Sequence, residues 1–118
     1  MAYRSFEELE VWKRSCKLAV EVYIALKDCR EFNLRDQINR SAVSISSNIA
    51  EGAERDSAKE FIRFLHIAKG SSAELRTQLY ITEKIGILHS QTTRPLIQET
   101  KEISSMLQGL INSKNTKP

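Results

Sequence analysis

Hydrophobic residues recur at steps of three and four in four stretches of the chain, the spacing that keeps them on one face of a helix. The first stretch opens at Ser5, with Glu8 three residues on, a reciprocal capping box. Leu9, Trp12, Cys16, Ala19, Tyr23 and Leu26 then form a seam that Val20 and Ile24 widen. The pattern weakens from Asp28 to Asn33, and Asn33 is placed to cap a second helix with Asp36 in its first turn. Leu34, Ile38, Ala42, Ile45 and Ile49 make the second seam, and Gly52 is read as its stop. Ser57 and Glu60 repeat the capping logic before a third seam of Phe61, Leu65, Ala68, Ser72, Leu75 and Leu79.

That third helix has a second apolar face, Ile62, Phe64, Ile67, Ile81 and Ile85. A helix apolar on two sides is either central in its bundle or shared with another subunit. Gly86 should end it, with Ile87 packing back after the turn. Pro95 suits a first helical position, so a fourth helix is expected from Thr93 or Arg94, carrying Leu96, Ile103, Leu107 and Leu110 with Met106 and Ile111 flanking. The predicted helices span about 5–28, 34–52, 57–86 and 93–112, and the polar tail 113–118 should fray. Short connections make consecutive helices antiparallel neighbours, so the expected fold is an all-α, up-down-up-down four-helix bundle in one domain, 1–118.

Composition agrees and then runs out. The chain has 118 residues, 41% of them hydrophobic and 28% charged, with only four Gly and two Pro. That excludes a disordered chain and argues against an all-β domain or a Gly-rich phosphate loop. Lys and Arg total 18 against 15 Asp and Glu, a net charge of +3 that permits nucleic-acid contact without requiring it. No run reaches the length of a membrane span, and the opening MAYRSFEELEVWK is mixed and acidic rather than basic then apolar, so a cytoplasmic protein with no membrane contact is expected.

Candidate chemistry is sparse. Cys16 and Cys29 are too far apart for a CxxC pair and are expected to be free thiols. The Glu-x-x-His pattern of di-iron bundles fails at both histidines, since Arg63 stands three residues before His66 and Gly86 three before His89. No serine or cysteine comes with a base and an orienting group, so no catalytic residue, metal site or cofactor is expected. A polar stripe, Gln37, Ser41, Ser44, Asn48 and Glu51, runs beside the apolar face of the second helix and is read as a structural network, because Ser and Asn inside a helix need compensating partners. The run Gly70-Ser71-Ser72-Ala73 is read as a place of close helix packing. Basic residues gather by helical spacing: Lys13, Arg14 and Lys17 on the first helix, Lys59 and Arg63 beside His66 on the third.

Three segments also carry a resemblance: Phe6-x-x-Leu9-x-Val11-Trp12; then Leu34-x-x-Gln37-Ile38-x-Arg40-Ser41-Ala42-Val43-Ser44-Ile45-x-x-Asn48-Ile49-Ala50-Glu51-Gly52; then Phe61-x-x-Phe64-Leu65-x-x-Ala68-x-Gly70-Ser71-x-x-Glu74-Leu75. They resemble the bacterial four-helix bundle proteins encoded by intervening sequences of large-subunit ribosomal RNA genes, over nearly the whole chain. The resemblance implies a bundle protomer that assembles into a ring-shaped homopentamer. It also implies kinship with the accessory protein of diversity-generating retroelements, a pentameric basic barrel that binds nucleic acid and a reverse transcriptase. Ser41 stands where the family more often has Ala, and Arg76 where it usually has an acid, a change that adds positive charge.

The expected function is a non-catalytic ring-forming module that engages RNA or DNA through phosphates, with Lys13, Arg14, Lys17, Lys59 and Arg63 as the contacts. Arg40 and Arg76 are set aside as structural ion-pair partners. The alternative is a structural or protein-interaction oligomer with no nucleic-acid role.

Overall fold

The computed structural model describes residues 5–115, in which the regular structure is entirely helical. A short 3-10 turn, Phe6–Glu8, precedes α1 (Glu10–Ala25), α2 (Phe32–Ala53), α3 (Ala58–Lys84) and α4 (Ser90–Lys114). Each helix packs on its sequence neighbours and α4 closes against α1, while the diagonal pairs α1–α3 and α2–α4 do not meet. The result is an up-down-up-down four-helix bundle, 50 × 19 × 19 Å. Its length follows from α3, whose 27 residues span roughly 40 Å.

Local chemistry explains most of the boundaries. Ser57 Oγ accepts from the Glu60 amide, 3.1 Å, as the capping box requires. Gly86 takes φ +82°, and the amides of Gly86 and Ile87 donate to the carbonyls of Glu83 and Thr82, at 3.2 and 2.9 Å, a complete Schellman ending.

The other ends depart from expectation. Ser5 caps only the 3-10 turn, accepting from the Glu7 amide; Phe6 stands edge-on to Trp12, and Leu9 is extended, so α1 starts at Glu10. It also ends early, at Ala25. Asn33 lies inside α2 rather than capping it, and Glu31 precedes the helix without a side-chain cap bond. Gly52 does not stop α2 either: it is buried one residue before the end, and a Cβ there would lie 2.5 Å from the Phe64 Cβ. The glycine is required by the close approach of α3. His89, not Thr93, caps α4, its Nδ1 accepting from the Gln91 amide at 3.0 Å, and Pro95 falls inside the helix. Ser113 and Lys114 continue α4 instead of fraying, while 116–118 lie outside the described residues.

The core is made by Leu18 and Val22 of α1 and Leu26 just past its end, with Ile38, Ile45, Ile49, Leu65, Leu75, Leu79, Ile103 and Leu107, all at most 1% exposed. Each such side chain contributes roughly 1.5–3 kcal/mol relative to exposure. The third seam is as expected. The first is shifted: Val11, Ser15, Leu18 and Val22 face inward, whereas Tyr23 is 65% exposed. Helix α1 is apolar on several sides, and only the packing of α2 and α4 chooses among them. Ser15 tolerates burial by donating to the Val11 carbonyl, 2.7 Å. On α4, Ile97, Thr93 and Thr100 join the expected positions, and Ile111 is buried rather than flanking. Cys16 and Cys29 are free thiols. No described helix is long and apolar enough to cross a membrane.

Candidate nucleic-acid interface

Two of the five basic candidates are spent within the chain. Arg14 projects from α1 onto α4, where Nε and Nη2 donate to the two carboxylate oxygens of Glu99 at 2.8 and 2.6 Å, and Nη2 also donates to Glu102 at 3.1 Å. The Glu99 hydrogen bonds, then those of Glu102, drive the Arg14 pKa further above its ordinary value. The pair clasps α1 to α4. Arg63 donates to both oxygens of Glu60, 3.3 and 3.1 Å, and lies with Arg55 over the Phe64 ring, at 4.6 and 4.7 Å from its centre. Glu60 is correspondingly held below the usual carboxylate range, chiefly by the Arg63 hydrogen bond.

Lys13, Lys17 and Lys59 are exposed and have no carboxylate in salt-bridge contact among the described residues. Among the described residues, the salt bridges join carboxylates to arginines: Glu99 and Glu102 to Arg14, Asp36 to Arg35, Glu51 to Arg55, Glu60 to Arg63 and Glu83 to Arg94. The structure does not bring the three lysines into one patch, because α1 and α3 occupy diagonal corners. His66 is exposed beside Lys59 and Arg63 on α3.

The polar stripe of α2 is only partly a network. Asn48 Nδ2 donates to the carbonyl and the hydroxyl of Ser44, 2.8 and 2.9 Å, and Ser44 Oγ meets Ser71 Oγ across the α2–α3 seam at 2.8 Å. Gln37 is exposed and supplies only its backbone carbonyl, which accepts from Ser41, and Glu51 points outward to Arg55. Gln37 and Glu51 therefore leave the network.

The larger network lies between α3 and α4. Ser72 Oγ donates to the Thr100 carbonyl at 3.0 Å and accepts from Ser104 Oγ at 2.9 Å. Arg76 donates to Thr100 Oγ1 and Ser104 Oγ, at 2.9 and 3.0 Å. The charge that Arg76 adds to the sequence is thus turned into the seam, satisfied by hydroxyls rather than by an acid. Ser72 and the repeated small polar residues of α4 are the only sequence signal for it. Ser71 and Ser72 do pack closely, but Gly70 and Ala73 are exposed, and nothing lies within 4 Å of where a Gly70 Cβ would be.

The geometry is that of a helical module with closed seams and no assembled acid, base and nucleophile among the described residues. A protein of unknown function from the S23 ribosomal protein family of Bacteroides thetaiotaomicron, solved by crystallography, is 26% identical, covers 86% of this chain and 97% of its own, and superposes with a TM-score of 0.81. No curated protein matches. The family model of the 23S rRNA-intervening sequence protein matches residues 7–109, and the chain belongs to that family.

Proposed function

We propose that the chain is a non-catalytic protomer of a homo-oligomeric ring, a pentamer as the resemblance implies, that engages RNA or DNA through phosphate contacts. It would serve as an adaptor for a second protein, such as a reverse transcriptase. One observation supports this reading most: arginines take up the paired carboxylates, whereas Lys13, Lys17 and Lys59 project into solvent uncommitted. Free, hydrated ammonium groups suit sequence-independent phosphate contact. Five copies at +3 carry about +15, a field that a ring concentrates.

The separation of the lysines on diagonal helices favours a second reading, an interaction oligomer that ignores nucleic acid. A gel-mobility assay with structured RNA and with duplex DNA across a salt series decides between them. The parent should be retarded at low salt. The triple variant Lys13→Glu, Lys17→Glu, Lys59→Glu should bind more weakly, with a log–log salt slope flattened by about 0.7–0.9 for each phosphate that is no longer neutralised. A parent that runs unretarded with both nucleic acids at low salt leaves the interaction oligomer.

A further inference from the structure

The large exposed hydrophobic side chains are unevenly placed. Val20, Tyr23 and Ile24 belong to α1, Phe32 and Val43 to α2, and Ile67, Tyr80, Ile81 and Ile85 to α3 and its end; among the described residues none belongs to α4. Tyr80 lies under the Arg94 guanidinium of α4, 5.3 Å from its ring centre, and the others mark two faces. On the first, Tyr23 of α1 and Val43 of α2 line a shallow groove with Asn39, Arg40 and Ser44. On the second, Ile67, Ile81 and Ile85 share the side of α3 that carries Ser71, the residue bonded to Ser44 of α2. Arg40 and Ser44 line the first groove and also a smaller cleft reaching Glu74 of α3, so the two faces meet along α2.

Each face also holds a buried acceptor that nothing among the described residues satisfies: Asn39 Oδ1 on the first, and Gln78 Oε1, whose residue is 8% exposed and falls between Glu74 and Ile81 on the second. An orphaned buried acceptor is costly until water or a neighbouring molecule supplies a donor. Lys27 beside the first groove and Glu74 on the second face are opposite in sign, and among the described residues neither has an ionic partner; Arg40, at the corner the faces share, is unpaired as well. Gly70, one turn from both Ile67 and Glu74, offers bare backbone where a neighbour seats.

We propose that the α1–α2 face of one copy seats on the α2–α3 face of the next, head to tail, so that α2 lines the centre of the ring and α4 forms its rim. Two different faces cannot pair isologously, and faces set at an angle close a ring. Adjacent sides of a square bundle meet at roughly 90°, the angle that closes with about four copies and lies near the roughly 72° that five require. The outer surface of α4, free of large exposed hydrophobics, is what a rim facing water requires. This assignment rests on the ring-forming reading above and adds to it the faces and the direction of assembly.

Two exposed substitutions test it, Val43→Glu on the first face and Ile81→Glu on the second, with light scattering as the readout and helical circular dichroism as the fold control. The parent should be a ring, and each variant alone a monomer of 13.5 kDa. The two variants mixed should form a one-to-one dimer, because one intact face of each remains and the two are complementary. If either variant loses helicity, Tyr23→Glu and Ile85→Glu repeat the experiment on the same two faces. A monomeric parent overturns the ring reading itself. An oligomeric parent whose two variants stay oligomeric overturns only the face assignment, as does a disruption confined to one variant or a mixture that remains monomeric.

Discussion

Helices α2 and α4 occupy diagonal corners, have similar lengths of 22 and 25 residues, and are each packed between two neighbours, yet they are held in opposite ways. Side chains from other helices reach α4 with charge or hydroxyls: Arg14 from α1, Ser72 and Arg76 from α3, and Glu83 of α3 accepting from Arg94 and Thr93. On α2, Ser41, Ser46 and Asn48 bond back to their own helix, and Ser44 to Ser71 is the polar side-chain link to α3 among them. Apolar contact must therefore do for α2 what polar bonds do for α4. An element whose polar groups are satisfied within the chain has a finished outer surface. One that carries exposed Val43 and an orphaned Asn39 acceptor keeps the open surface to which the proposal above assigns a second copy.

The strongest test of this contrast is Gly52→Ala. The added methyl meets the Phe64 Cβ, which is fixed by the α3 backbone, so overpacking at the α2–α3 contact should cost about 1–3 kcal/mol and lower the melting temperature. An unchanged melt would show that the two helices separate freely and that α2 is not held by close apolar contact. Next is Ser72→Ala, which strips a fully buried hydroxyl from the α3–α4 network and should cost about 1–2 kcal/mol. Asn48→Ala should cost less, below about 1 kcal/mol, because its partners belong to its own helix. Equal costs at the two sites would erase the distinction between the seams.

Arg14→Gln removes a partly exposed bidentate pair and should cost up to about 1 kcal/mol, with the deficit shrinking as salt rises. A deficit independent of salt would assign Arg14 a packing role instead. The smallest effect concerns pH. Arg94 first, then Thr93, holds the Glu83 carboxyl below the usual carboxylate range. A depressed folded-state pKa stabilises above the unfolded value and loses that contribution as pH falls through the folded value. Stability should therefore be level near neutrality and decline on acidification through and below the ordinary carboxylate range, and Glu83→Gln should make that decline shallower. An identical acid profile for Glu83→Gln would place the acid sensitivity elsewhere.

The number and order of the helices, the third seam, the Ser57 cap and the Gly86 ending are legible in the sequence, because capping and periodicity act over one or two turns and need no distant partner. The Arg63 pair belongs with them: Glu60, three residues back, is its partner by helical spacing alone. Tertiary structure decides whatever depends on residues far apart in the chain. Arg14 meets an acid 85 positions away, so one member of a basic cluster becomes an interhelical clasp while Lys13 and Lys17 stay exposed. Gly52 looks like a helix end because glycine frees the backbone, but here it serves by lacking a Cβ where α3 comes close. Which of α1's apolar stripes turns inward is likewise open until α2 and α4 pack against it, leaving Leu18 in the core and Tyr23 in water. Periodicity determines that a helix has a face to bury; only the positions of its neighbours determine which face that is.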